Sequence, residues 1–386
     1  MTTSASTRST RVLIAGAGVA GLEAMLALQA LAGDRVEIEL LAPNRHFTYR
    51  PLAVAEPFVP DTRAPRLALT QISADRGVRL HRDVLARVLT DEHLVETQGG
   101  ARLDYDVLVL ALGARPSEAV RGALTFRGSQ DAPRIRRLVD AVREGTIRRV
   151  AFVVPVGTAW TLPLYELALQ MAVAVRGASS GIELSLVTPE TSPLAAFGDE
   201  ASQVIGKLLV DRGVTLHAGA TVDEVADGRL WMGADGTIRT DCAIALPRLT
   251  GPHMRGLPSD TMGYIPVDDF MRVLGLEGVL AAGDVAALGA KQGGLATQQA
   301  VTVAQGIAAR AGAPVAARPY RPVLRGALLT GAETLYLRHE PGGLSEISDQ
   351  AMWRPPRKIA GRYLSHYLAT HIDFVEHIGL SAAEQH

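Results

Sequence analysis

The chain opens on a glycine loop that very few folds accommodate. Gly16-Ala-Gly18-Val-Ala-Gly21 follows an apolar run, Val12–Ala15, and precedes an Ala- and Leu-rich stretch, Leu22–Leu31; a second apolar run, Val36–Leu41, comes next. Strand, glycine turn, helix and strand in that order make a β-α-β unit. In such a unit the first glycine permits the tight turn, the second lets backbone approach a pyrophosphate, and the third lets helix and strand pack closely. The free N–H groups and positive dipole end of the helix then suit phosphate. A lone glycine loop is weak evidence, but this context favours dinucleotide binding over an ordinary Gly-rich turn. One part of the fingerprint is missing. The second strand should end in a carboxylate that holds a ribose hydroxyl. It runs instead Leu41-Ala42-Pro43-Asn44-Arg45, which leaves Asn44 or Arg45 for the ribose or adenine.

The rest of the chain repeats the theme. A second β-loop-α-β unit begins at Arg149–Val154, continues through a helix over about Leu164–Arg176, and closes with a strand at Ile182–Thr188. Further strands are predicted at Tyr105–Leu112 and Gly278–Ala282, and helices at Arg134–Glu144, Ala201–Arg212 and Gln298–Ala311. The character changes after Pro319, where a β-hairpin is expected at Tyr320–Arg338 and a terminal helix at Lys358–His371. The chain of 386 residues has room for two to three domains. The expected fold is α/β, with two Rossmann-like dinucleotide-binding domains and a C-terminal appendage. The first domain is discontinuous, 10–120 with 245–315; 121–244 is inserted into it, and 316–386 is the appendage.

Composition excludes several classes. Lys plus Arg number 39 and Asp plus Glu 40, a net charge of −1, which argues against a general nucleic-acid binder. No apolar run approaches the ~18 residues needed to span a bilayer. Met1–Arg11 is polar, lacks the apolar core of a secretory signal, and reads as a short disordered tail. The single cysteine, Cys242, rules out an intrachain disulfide and a Cys-rich metal site. A cytoplasmic protein with no bound metal is expected.

Three more motifs complete a resemblance. They are His46-Phe-Thr-Tyr49-Arg50-Pro51-Leu52; Leu110-Ala111-Leu-Gly113-Ala-Arg-Pro116; and Val279-Leu-Ala-Ala-Gly283-Asp284 with Lys291-Gln-Gly-Gly-Leu-Ala296-Thr297. With the glycine loop they resemble the FAD-dependent pyridine-nucleotide oxidoreductase superfamily over about residues 11–310. Within it the chain is most similar to type-II NADH:quinone and sulfide:quinone oxidoreductases. The resemblance implies non-covalent FAD. It puts Tyr49, Arg50 and Pro51 beside the isoalloxazine, Ala111 and Gly113 close to the cofactor, and Gly283 and Asp284 at the ribityl chain. It also points the N-terminus of a helix beginning near Thr297, with Ala296, at the flavin's pyrimidine edge, and sets Lys291 beside the ring.

The second unit departs from that pattern. Its loop reads Val153-Val-Pro155-Val-Gly157-Thr-Ala-Trp160-Thr-Leu-Pro163-Leu-Tyr165-Glu166, with one glycine left. Counted back from Tyr165-Glu166, Trp160 falls where related sulfide-oxidising enzymes carry a redox cysteine. Cys242 sits in an apolar stretch and reads as a small buried hydrophobe, so cysteine-dependent chemistry is disfavoured. Trp160 is expected near the flavin, where its bulk blocks a second pyrophosphate and weakens NADH binding. Glu190, at the end of the second strand, is either a ribose ligand or an ordinary loop carboxylate. No Arg follows it to pair with a 2′-phosphate, which favours NADH over NADPH.

Three functions remain open: NADH-linked reduction of a quinone-like acceptor, a flavoenzyme that no longer uses a nicotinamide, and a non-catalytic FAD-containing binding or redox-sensing protein. The expected partners are a small-molecule electron donor and acceptor, and a second copy of the chain in a homodimer. The basic and aromatic C-terminal segment, Ala351–Leu368, adds a peripheral membrane surface as a further candidate partner; a surface helix packed on the FAD domain is the alternative.

Overall fold

The computed structural model describes residues 9–178, 181–233 and 236–372. Most of the expected N-terminal tail, 1–8, lies outside them; Thr10 already belongs to the first strand.

The chain builds the expected unit first: β1 (Thr10–Ala15), α1 (Val19–Ala32), β2 (Val36–Leu41), and then β3 (Arg79–His81) and β4 (Val107–Leu110). It next lays down β5 (Leu124–Thr125), β6 (Arg149–Val153), α2 (Leu162–Ala174), β7 (Glu183–Thr188), α3 (Asp199–Asp211), β8 (Val214–Ala218) and β9 (Cys242–Ala245). β10 (Val279–Ala281) then returns to the first sheet, which has the order β10-β4-β1-β2-β3 with every pairing parallel. The second sheet, β5-β9-β6-β7-β8, is parallel throughout as well. Parallel strands covered on both faces need apolar runs rather than alternation. β1, β4 and β10 meet this need, since Val12–Ala15, Val107–Leu110 and Val279–Ala281 are all buried.

α1 is apolar around most of its circumference and is buried accordingly. It packs against α4 (Gly293–Arg310), which starts a turn earlier than Thr297 because Gln292 caps it: its side-chain oxygen accepts the Leu295 N–H at 2.8 Å. The tail forms an antiparallel sheet of β11 (Leu324–Leu329), β12 (Thr334–His339) and β13 (Ser345–Ser348). The expected hairpin thus gains a third strand. The terminal helix α5 (Leu364–His371) is shorter than expected. Residues 358–363 stay irregular because tertiary partners take their groups: the Ile359 N–H donates to the Tyr49 hydroxyl, and the Tyr363 and Leu364 N–H groups donate to Glu23. Ile359, Leu364, Tyr367 and Leu368 are buried in the core that α1 and α4 share, so these four side chains face the protein. Among the described residues no helix is long and apolar enough to cross a membrane.

Candidate active site

Both sheets end at one large cavity of about 1180 Å³. Its wall includes the first glycine loop and the start of α1, the Asn44–Pro51 segment, the Thr158–Pro163 loop of the second unit, and Lys358 and Ile359 from the tail.

The glycines divide the labour along steric lines. A Cβ on Gly21 would lie 1.9 Å from the Gly16 carbonyl oxygen, and one on Gly16 would lie 2.2 Å from that of Ala111. These two therefore close the turn, and Gly21 itself does not reach the cavity. A Cβ on Gly18 would meet nothing within 4 Å and would project into the cavity. Gly18 is the N-cap of α1 and supplies no side-chain cap, so the first-turn N–H groups face the space instead. A pyrophosphate fits such a cradle. At the far side Asp284, partly buried, receives no side-chain or backbone hydrogen bond among the described residues. Burial raises its pKa, against the opposing charges of Lys291 and Arg50. A cavity-facing carboxylate held in this way suits a ligand hydroxyl.

Asn44, Arg45, Arg50, Pro51, Ala111, Gly113, Trp160, Gly283, Lys291 and Ala296 all line the same cavity. Besides Gly21, two expected residues do not. Tyr49 turns into the core, where its ring is buried and its hydroxyl accepts the Ile359 N–H at 2.9 Å; burial raises its pKa. Thr297 lies on the opposite face of α4, because the helix starts at Gly293. It is the capping end, Gln292 and Gly293, that meets the cavity, while the Thr297 hydroxyl donates to the Gly294 carbonyl. Lys291 reaches the wall, but its ammonium is directed elsewhere. It donates to the Ala286 carbonyl and lies 3.9 Å from the centre of the Tyr264 ring, a cation–π contact. Burial lowers its pKa to about 8.

The second loop is closed from within. Glu190 accepts hydrogen bonds from Tyr165 Oη at 2.7 Å and from the Thr161 and Thr188 hydroxyls at 3.1 Å each. Thr161 occupies the N-cap position of α2 without a side-chain cap bond, and Tyr165 lies in the first turn. The chain's own carboxylate therefore sits by the N-terminal end of α2, held by three hydroxyls. Glu190 is thus bound within the chain and is not an unattached loop carboxylate. Trp160 packs edge-on against Phe197, ring centres 5.8 Å apart, with part of its surface on the cavity.

One feature of the wall was not legible as a site. Glu166 on α2 forms an ion pair with Lys358 of the tail and accepts the Leu329 N–H at 2.9 Å. Their side chains are 1% and 9% exposed. Burial raises the Glu166 pKa and lowers that of Lys358, each opposed by the partner's charge. The sequence offered both residues only in other guises, Glu166 as a register mark and Lys358 as one cation of a basic tail. Cys242, at the start of β9, lies off the cavity, with its thiol pKa raised by burial. Cys242→Ala is therefore expected to keep its turnover and flavin content and to lose only about 1 kcal/mol of stability. Steady-state assay with any working donor checks this, and a loss of more than about tenfold in an intact protein would give the thiol a role.

Two parallel dinucleotide-type sheets facing one cavity define an oxidoreductase of the two-dinucleotide-fold class. The chain belongs to the pyridine nucleotide-disulphide oxidoreductase family, whose model matches residues 10–306. It is an FAD-dependent oxidoreductase, although its lone cysteine cannot form a redox pair within the chain. It is 28% identical over 302 residues to an NADH dehydrogenase-like protein from Mycobacterium tuberculosis, an overlap of 72% of this chain and 73% of the relative. In fold it is similar to sulfide:quinone oxidoreductase from Aquifex aeolicus, with a TM-score of 0.79 at 16% identity, covering 94% of this chain and 89% of the other. It is also similar to NDH2 from Plasmodium falciparum in complex with NADH, with a TM-score of 0.58 at 15% identity, covering 72% and 65%.

Proposed function

We propose that this cavity holds non-covalent FAD and that the protein passes two electrons to a quinone-like acceptor, with NADH as a weakly bound donor. One observation carries the reading: a single cavity joins the open glycine loop, the Asp284 carboxylate and the shielded Glu166–Lys358 pair. The assigned FAD domain is 10–120 with 245–315, and 121–244 is the inserted domain. The pyrophosphate is assigned to the first turn of α1 at Gly18, the adenosine to Asn44 and Arg45, and the ribityl chain to Asp284 near Arg50. The ring is assigned to the space among Pro51, Ala111, Gly113, Ala296 and Trp160. FAD, when bound there, supplies two-electron chemistry at its N5, and the protein orients it. The protein's own residues handle water and protons. Two-electron reduction of a quinone takes up two protons. Lys358 holds a proton on the wall, and Glu166 stabilises that charge and keeps the ammonium in place.

A second reading, with a donor that is not a nicotinamide, is favoured by the Glu190 carboxylate at the start of α2 and by the bulk of Trp160. Both features oppose a second pyrophosphate. NADH is therefore expected to bind with a Kd nearer millimolar than micromolar, a gap of about 4 kcal/mol. Trp160→Gly forfeits the contact with Phe197, worth about 0.5–1.5 kcal/mol, and is expected to speed NADH-driven flavin reduction roughly tenfold or more by opening the loop. Anaerobic rapid mixing of both proteins with NADH and a panel of other donors separates the readings. Micromolar NADH affinity in the unmodified protein would sink the blocking idea. Bleaching by another donor alone selects the second reading, and a flavin that no donor reduces leaves a structural or redox-sensing role.

A further inference from the structure

On the far side of α4 lies a separate cleft of about 550 Å³, lined by Arg318, Arg321, Arg325 and Arg362. It is bounded by four segments: α1 at Glu23, α4, the run leading into β11 with the start of that strand, and the tail just after Lys358 and Ile359. None of the four guanidiniums has a carboxylate within ion-pair distance among the described residues. Arg362 has only an aromatic neighbour, with its guanidinium 5.6 Å from the Tyr363 ring centre. Glu23 is the one acidic residue lining the cleft. It is buried, and its two oxygens accept the Tyr363 and Leu364 N–H groups. Arg325 is partly buried, and desolvation together with the nearby positive charge of Arg338 lowers its pKa, against Glu340. Four unpaired cations around one concave space give it a positive potential that attracts an anion.

We propose that this cleft is a binding site for a phosphate-bearing anion, held by the four arginines. Guanidinium forks match phosphate oxygens two at a time, and charge-assisted bonds of this kind are about twice as strong as neutral ones. The cleft is of ordinary ligand size, and Gln298, Thr302 and Gln305 add polar groups along α4. Its position gives the ligand a second consequence. An anion bridging Arg318 and Arg321 to Arg362 clamps the tail onto α4 and β11, the elements whose other faces bear Lys358, Ala296 and Ala327 on the large cavity.

The test uses the flavin-loaded full chain and a triple variant, Arg318→Gln, Arg321→Gln and Arg362→Gln, whose three positions are exposed. Flavin content and the unfolding midpoint without added anion should match in the two proteins, which establishes that the variant folds. Inorganic pyrophosphate, titrated calorimetrically against a chloride control of equal ionic strength, should bind the unmodified protein saturably and raise its unfolding midpoint. The triple variant should lose roughly tenfold or more in affinity for each guanidinium removed. Vesicles of phosphatidylglycerol and of phosphatidylcholine identify the source. Arginine-dependent binding to the first alone assigns the phosphate to a lipid headgroup, and pyrophosphate binding without vesicle binding assigns it to a free ligand. Equal pyrophosphate affinity in the two proteins, or no arginine-dependent binding of either probe, would overturn the proposal.

Discussion

Gly18→Val is expected to yield a folded but colourless protein. At this position φ is −84° and ψ is −163°, extended backbone that any residue adopts. A Cβ there meets no protein atom within 4 Å, so the fold has no steric quarrel with the substitution. Valine is a poor N-cap compared with glycine, which costs about 1 kcal/mol. The isopropyl group points into the space assigned to the pyrophosphate and holds it off the N–H groups of α1. A conflict of about 3 kcal/mol cuts affinity about a hundredfold. Gly21→Val provides the contrast. Its Cβ would lie 1.9 Å from a backbone oxygen that cannot move without opening the turn, so that variant is expected to fail to fold. Flavin released on denaturation, with circular dichroism of the same samples, reads both outcomes. Normal flavin content in Gly18→Val would remove the loop from the cofactor site.

Lys358→Met is expected to destabilise the protein in a way that grows with pH. Removing one partner of a buried ion pair costs about 3–5 kcal/mol when the other charge stays. Glu166 can instead keep its proton. Its pKa is already raised by burial, and losing the Lys358 charge, which holds it down, raises it further. A carboxyl whose folded pKa exceeds its unfolded value of about 4.3 costs nothing below that value. Above it the unfolded chain ionises first, so stability falls as pH rises towards the folded pKa. The variant should therefore approach the parent's stability in acid and fall furthest behind it above neutrality. Adding Glu166→Gln should flatten the pH dependence and recover much of the loss, with Leu329 N–H still donating to the amide oxygen. Urea unfolding across pH checks this. A single variant as stable as the parent at all pH values would mean that the pair is not buried as described. The double variant also probes function: if the pair serves the acceptor, flavin reoxidation by a quinone should slow while reduction by the donor does not.

The parts of the molecule that were legible in advance are those that local backbone geometry determines. Three glycines between a strand and a helix admit one kind of turn, and the apolar runs Val12–Ala15, Tyr105–Leu112 and Gly278–Ala282 are suited only to a sheet covered on both sides. The β-α-β units follow, whereas the sheet orders come only from the structure; the meeting of Gly18, Gly113 and Asp284 at one cavity is implied by the family resemblance of their motifs. Trp160 is placed by the same resemblance, counted back from Tyr165-Glu166, and it lines the cavity.

What only the tertiary structure decided depends on contacts between distant segments. The start of α4 moved because Gln292 caps it, which turned Thr297 away from the cavity. Tyr49 went to the core because the Ile359 N–H, 310 positions away, needed an acceptor. Glu190 was drawn inward by three hydroxyls, two of them on α2 or its cap. Glu166 and Lys358 stand 192 positions apart, and the four arginines of the second cleft are brought together only when the tail crosses α4. A glycine's fitness for a turn lies in its own missing side chain and can be read along the chain. The worth of a charge lies in what surrounds it, and those surroundings exist only after the chain has folded.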